Sequence, residues 1–358
     1  MPIYLVATKP VRYNKDMLRV TFSHFFLLLA FLVLPLFTHA QFLGNLNGVT
    51  INLTPQHPRP HQTVEATVRS GNVDVSSATI VWLINDELLQ QESGGTSFIF
   101  ETPAEGQMQQ LTVLVKTIDG QVLSDTVAIR PASVTLLWEA RTWTPPFYKS
   151  RALYTPGSTI VVEARASIEG SDGRKYEPNE LLYTWRRNDS VLGNQSGLGK
   201  STLIIEGPKF FSDDVMSVEV STPDRSIIAT SAALIETRDP LVLLYEEDPL
   251  LGVVYNRSVE NDHVFRATQQ ISLVAAPFYM DARKLNDRSL TYEWQVQGRK
   301  IETNANRPSY VTLSFTTADD FSANASVSVE HISHLLQAAT GNWLFHFEGG
   351  ARATPFGR

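Results

Sequence analysis

The sequence predicts an all-β chain: three tandem β-sandwich domains behind an N-terminal signal peptide. Three observations carry that expectation. A tryptophan sits in an alternating apolar run three times, at Trp82, Trp185 and Trp294. A valine in a later alternating run follows each one, Val113, Val218 and Val327, at 31, 33 and 33 residues. The tryptophans themselves are 103 and 109 residues apart, the length of one sandwich.

The composition agrees. The chain has 358 residues, 43% hydrophobic and 19% charged, so each domain has enough apolar material for a core. Its 20 glycines and 19 prolines fall between the alternating runs, as turns of all-β proteins do.

In the first repeat, Val49 to Leu53 alternates as a strand, and Pro55, Pro58 and Pro60 break it. Val64, Ala66 and Val68 share one face of the next run, and Ile80, Trp82 and Ile84 one face of the third. Asn85-Asp86 and Ser93-Gly94-Gly95 are turns, leading to Phe98 and Phe100. Leu111 to Lys116, the hairpin signal Asp119-Gly120 and Val122 to Ile129 complete the unit. About seven short strands in roughly 85 residues make an immunoglobulin-like sandwich the simplest architecture.

The second repeat begins after Pro131 with Leu136-Leu137-Trp138-Glu139. Strands are expected over 160–168, 182–187, 202–205, 215–220 and 227–235, with turns at Ser171-Asp172-Gly173 and Pro223-Asp224. The third begins after Pro240 with Leu243-Leu244-Tyr245-Glu246, which echoes the second repeat's lead-in. Strands follow over 271–276, 291–296, 310–315 and 325–331, and a last one within 335–347 is expected to bulge at Gly341. The domains therefore run over 48–131, 132–238 and 239–348, with a flexible tail over 349–358. The short proline-containing joints Arg130-Pro131-Ala132 and Arg238-Asp239-Pro240 favour a semi-rigid rod.

The N-terminus reads as a signal peptide over 1–40. Lys9, Arg12, Lys15 and Arg19 give a positive start, Phe25 to Phe37 is an uncharged apolar run, and Thr38-His39-Ala40 is a small-x-small cleavage site. Met17 offers a second start. The run is about 13 residues, against roughly 20 for a membrane span, so cleavage before Gln41 is expected, with an uncleaved anchor as the alternative. There is no cysteine, hence neither a disulfide framework nor a lipoprotein anchor. The mature chain would carry 26 basic and 36 acidic residues, a balance of −10. That argues against nucleic acid or anionic lipid as the main partner.

The strand tryptophan, the glycine turn after it (Gly193 and Ser196 to Gly199 in the second repeat) and the alternating late strand resemble bacterial immunoglobulin-like and PKD-like domains of tandem surface and secreted proteins. The resemblance covers nearly all of residues 48–347. The paired cysteines of antibody-type domains are absent, and the PKD-type motif does not occur after Trp82, Trp185 or Trp294. It implies spacing, adhesion or assembly at the cell surface, with envelope or appendage proteins or glycans as partners.

No catalytic, cofactor or metal site is expected. Serines are many, but none lies in a Gly-x-Ser-x-Gly elbow. His331 and His334 are three apart, and on one strand they face opposite ways. His57 and His61 flank prolines in a loop. Glu246-Glu247-Asp248 alternates sides on one segment, so it does not supply the facing carboxylates of a hydrolase. With Asp239 it offers oxygen ligands for calcium at a joint, without an Asp-x-Asp-x-Asp loop. Trp82, Trp185 and Trp294 read as core pins. The aromatics Trp138, Trp143, Phe147, Tyr148 and Tyr245 gather in the irregular lead-ins of repeats two and three. They read either as interdomain packing or as a stacking platform for a glycan.

The sequence therefore points to a non-enzymatic exported structural or adhesive protein of a bacterial envelope or surface appendage. A carbohydrate-binding module and a secreted hydrolase with dispersed carboxylates are the alternatives.

Overall fold

The computed structural model describes residues 48–266, 270–314 and 319–349. The signal peptide expected over 1–40, residues 41–47, the strand end expected at Phe315 and the tail from 350 lie outside the described residues. The described strands belong to one compact unit, Val49–Arg358. No helix among the described residues is long and apolar enough to cross a membrane.

The chain is all-β, and its described residues build six sheets. The first two contain β1 (Thr50–Thr54), β2 (Thr63–Arg69), β3 (Thr79–Ile84), β4 (Glu87–Ser93), β5 (Ser97–Glu101), β6 (Gln109–Lys116) and β7 (Val122–Ile129). They are ordered β1-β2-β5 and β4-β3-β6-β7. The next two contain β8 (Ser133–Ala140), β9 (Thr159–Ser167), β10 (Leu182–Arg187), β11 (Ser190–Val191), β12 (Gly197–Leu198), β13 (Thr202–Glu206), β14 (Asp214–Ser221) and β15 (Ile228–Ile235). Their orders are β13-β9-β8 and β11-β10-β14-β15, with β12 also on β10. The last two contain β16 (Leu241–Asp248), β17 (Gly252–Val253), β18 (His263–Arg266), β19 (Ile271–Phe278), β20 (Leu290–Val296), β21 (Arg299–Ile301), β22 (Tyr310–Leu313), β23 (Phe321–His331) and β24 (Ala338–Glu348). Their orders are β17-β16-β19-β22 and β18-β24-β23-β20-β21.

Each pair of sheets closes on its own cluster of buried side chains, because alternate residues of facing strands point inward. Trp82, Trp185 and Trp294 lie at the centres of the three clusters, each at most 1% exposed. Each indole N–H donates to a backbone carbonyl thirteen to fifteen residues on: Trp82 to Gly95 at 3.3 Å, Trp185 to Lys200 at 2.9 Å and Trp294 to Pro308 at 3.0 Å. That bond removes the cost of burying an unpaired donor. The glycine turns after the first two tryptophan strands supply their acceptors.

Three residues past each tryptophan the chain reverses. Asn85-Asp86, Asn188-Asp189 and Gln297-Gly298 all have positive φ at both positions, the requirement of a tight two-residue hairpin. The asparagine side chains brace the first two turns: Asn85 Oδ1 accepts the Gln110 N–H and Asn188 Oδ1 the Val215 N–H, both at 2.9 Å.

Two local expectations are corrected. Gly341 is not at a bulge, since β23 and β24 pair without interruption and Gly341 stands opposite Val327. A Cβ at that position would lie 2.0 Å from Trp343 Cη2, so the glycine makes room for that ring. The register shift occurs instead between Trp82 and Leu83, against β4. The echo between Leu136-Leu137-Trp138 and Leu243-Leu244-Tyr245 is one residue out of register with the cores. On β8 the faces of Val134, Leu136, Trp138 and Ala140 turn inward, whereas on β16 Val242 and Leu244 do, and Tyr245 points outward.

Candidate functional site

On β16 the outward positions are Leu241, Leu243 and Tyr245, and Phe278 stands opposite Leu241 on β19. An apolar outer face on a sheet needs cover. Two segments supply part of it, an irregular one over 143–150 and one over 249–259 that includes the short β17. Between them a groove of about 1140 Å3 remains open.

The local sequence explains both walls. Pro145-Pro146 keeps the first segment extended, and a turn follows in which the Tyr148 N–H donates to the Pro145 carbonyl at 3.3 Å. Phe147 sits at that turn with φ 61°, in a region that suits glycine rather than a bulky side chain. Its ring is completely exposed. In the second segment Asp248 Oδ1 accepts the N–H groups of Leu250 and Leu251 at 2.7 and 2.9 Å, and Gly252 turns the chain at φ 75°. These two bonds hold the Asp248 carboxyl below its ordinary value. They also hold Leu250 and Leu251 outward, at 94% and 81% exposure.

Behind the groove lies an aromatic layer. Trp143 meets Phe278 edge-on at 5.6 Å, Tyr148 meets Phe278 edge-on at 5.9 Å, and Tyr245 meets Tyr255 at 5.2 Å. The hydroxyls of Tyr148 and Tyr279 are 2.7 Å apart. Burial raises Tyr245, pushes Tyr255 up to about 12, and raises Tyr279 with help from its bond to Tyr148. These three phenols stay neutral at physiological pH, so they offer hydrogen bonds and not a base.

The same segment fastens the second sheet pair to the third. The Trp143 N–H donates to the Met280 carbonyl at 2.7 Å, and the Tyr279 N–H to the Trp143 carbonyl at 3.0 Å. Thr155 Oγ1 donates to the Tyr279 carbonyl at 2.7 Å, and the buried Gln337 Nε2 to the Pro156 carbonyl at 2.8 Å. Trp143 follows β8, yet its ring is buried in the core of the third sheet pair.

The remaining candidates are dispersed. Trp138 is half-buried against the second core, with the Arg151 guanidinium 3.9 Å from its ring centre. Trp143 and Tyr245 are buried and Tyr148 is half-buried, so no two of Trp138, Trp143 and Tyr148 form an exposed platform. Glu246, Glu247 and Asp248 turn to three partners: His263 at 3.7 Å, Arg307 at 2.6 Å and the Leu250 and Leu251 N–H groups. Asp239 is exposed, His57 half-buried, and His61 pairs with Glu101 at 3.7 Å on the surface. His331 and His334 do come together, with ring centres 4.3 Å apart, because the chain turns between β23 and β24. Among the described residues no three His, Asp or Glu side chains are placed to hold a metal ion.

Sequence reasoning grouped Phe147 with the lead-in aromatics and passed over Leu250 and Leu251. A signal was present: two leucines between Asp248-Pro249 and Gly252 put apolar side chains in a turn, where polar residues are usual.

No family model matches the chain, and no curated protein matches it in sequence. Solved structures similar to it are tandem β-domain proteins. The fibronectin(III)-like modules of Clostridium thermocellum CbhA share 13% identity over 53% of this chain and 94% of that one, with a TM-score of 0.26. The central fibronectin-III array of RIM-binding protein shares 12% over 82% and 95%, with a TM-score of 0.28. SGBP-B of a Bacteroides ovatus mixed-linkage glucan utilization locus, in complex with a mixed-linkage heptasaccharide, shares 11% over 81% and 64%, with a TM-score of 0.22.

Proposed function

We propose that the chain is a non-enzymatic, exported structural or adhesive protein of a bacterial envelope or surface appendage, acting through protein–protein contacts. The three sheet pairs are read as immunoglobulin-like domains over 48–131, 132–238 and 239–348, preceded by a signal peptide. The groove on the outer face of β16 carries this reading. Phe147 and Leu251 line the groove and, with Leu250, are held outward in front of a largely buried aromatic layer, and exposed apolar side chains of that kind mark a contact site. The hydrogen-bonded joint behind the groove supports rigid presentation of it. The buried Trp143 and half-buried Trp138 and Tyr148 speak against the glycan platform, and the separate partners of Glu246, Glu247 and Asp248 speak against a hydrolase built on that run.

The test is cross-linking in native cells followed by fractionation. The proposal expects retention with the envelope and a discrete cross-linked neighbour, both lost when Phe147, Leu250 and Leu251 are replaced together by serine. Recovery solely as free monomer in the medium overturns it.

A further inference from the structure

A second cavity lies where the first sheet pair meets the second. It has a volume of about 460 Å3, within the range of small-molecule sites. The first pair lines it with Asn52 on β1, Gln56 and His57 in the loop after β1, and Arg130 at the end of β7. The second pair adds Arg225 and Ser226 from the turn between β14 and β15. No carboxylate lines it, although the chain carries a net charge of −7.

Neither arginine has an ion-pair partner among the described residues. Arg130 Nη2 meets only the Met108 sulfur, at 3.8 Å, and its Nε is buried with no acceptor. Arg225 is exposed and held at φ 58°, where its N–H donates to the Thr222 carbonyl at 2.9 Å. Two acids close in sequence to the lining residues are committed elsewhere. Asp224 Oδ1 accepts the N–H and Oγ of Ser226 at 3.2 and 3.0 Å, and Asp125 Oδ2 accepts the Ile51 N–H at 2.8 Å. Two arginines thus line the cavity without a countercharge among the described residues. Beside them stand two side-chain amides, an imidazole and a hydroxyl, groups that suit the hydroxyls of a polar ligand.

We propose that this cavity binds a hydroxylated carboxylate of monosaccharide size, a uronic acid. The arginines take the carboxylate, for which their planar forks are matched. Asn52, Gln56, His57 and Ser226 take the hydroxyls. Because the lining comes from both sheet pairs, the bound acid also fastens them together, and ligand that binds only the folded protein raises its unfolding temperature. The site is separate from the groove on β16, and its failure leaves the reading of that groove standing.

Titration calorimetry on the purified full-length protein tests the proposal with four probes: D-glucuronate, D-glucose, acetate and inorganic phosphate. Glucuronate is expected to bind one site per chain, at least about tenfold tighter than the other three, and to raise the unfolding midpoint. Arg225→Gly relieves the left-handed backbone, so it keeps the fold while removing the cation. It is expected to weaken glucuronate about tenfold, and Arg225→Lys less. Arg130→Gln is expected to match Arg225→Gly. Equal affinity for glucose overturns the carboxylate part, and equal affinity for acetate or phosphate overturns the sugar-acid part. No binding by any probe, or unchanged glucuronate affinity in Arg225→Gly, overturns the whole.

Discussion

Trp185 and Val218 stand directly opposite each other on β10 and β14, and Trp82 with Val113 and Trp294 with Val327 repeat the pair. The spacing of 31 to 33 residues in the sequence is therefore one cross-strand contact made three times. Each valine is at most 2% exposed, so the pair is a fixed point of each core.

Truncating any of these tryptophans leaves a cavity and an orphaned carbonyl. Trp185→Ala is expected to cost about 3–5 kcal/mol. Urea unfolding followed by tryptophan fluorescence and circular dichroism measures it. A loss near zero contradicts its place at the centre of the second core.

The hairpin turns make a prediction of opposite sign. Asp189 is held at φ 65° and follows an asparagine that already braces the turn. Asp189→Gly creates the preferred Asn-Gly pair and is expected to stabilise by about 0.5–1 kcal/mol. Asn188→Ala is expected to destabilise, since it removes the acceptor of the Val215 N–H and the donor to Asp214 Oδ1 at 3.0 Å. Thermal unfolding of the two variants separates these outcomes.

Trp143 lies between β8 and β9 but is buried in the third core. Trp143→Ala is expected to cost about 3–5 kcal/mol and to split one unfolding transition into two, since it loosens the joint. Trp138→Ala, at a half-buried ring, is expected to cost about 1–2 kcal/mol and leave the transition single. Tyr148→Phe removes the bond to Tyr279 for about 0.5–1.5 kcal/mol. Calorimetry distinguishes one transition from two.

The same joint contains a titratable cluster. His331 Nδ1 accepts the N–H groups of Ser333 and His334, both at 3.1 Å. Burial, and then the neighbouring His334, pull His331 below its ordinary 6.5. The folded state thus prefers the neutral ring. That preference stabilises fully above about pH 6.5 and is lost as pH falls through the lowered value. Asp281, 3.9 Å from His334, is raised from 3.8, chiefly by burial. Its neutral form is preferred in the fold, so its contribution is present below 3.8 and is lost as pH rises through the raised value. On going from about pH 7.5 to about pH 6, the wild-type unfolding temperature is expected to fall more than that of His331→Gln. Equal falls would contradict the role of His331.

Much of this fold was legible because strand periodicity is local. The runs around Trp82, Trp185 and Trp294 alternate with period two, and the structure buries the alternate residues. What depends on distant contacts was not legible. The parallel pairing of β18 with β24 joins residues that share no turn signal. The faces of Trp138 and Tyr245 looked alike because a sequence echo does not reveal which side of a strand meets the core. Tyr245 is covered by the aromatics of the 143–150 and 249–259 segments, and only the folded chain brings those together. The cavity with Arg130 and Arg225 was invisible for the same reason, since its two cations come from different sheet pairs.

The groove on β16 is the centre of the functional account. The triple replacement of Phe147, Leu250 and Leu251 by serine is expected to change the unfolding free energy by no more than about 0.5 kcal/mol per site, as exposed side chains allow. A photo-reactive side chain at position 147 then tests the contact in living cells. The account predicts a discrete adduct with one envelope protein, absent when Leu250 and Leu251 are serine. Only uncross-linked monomer, recovered in the medium, would contradict it.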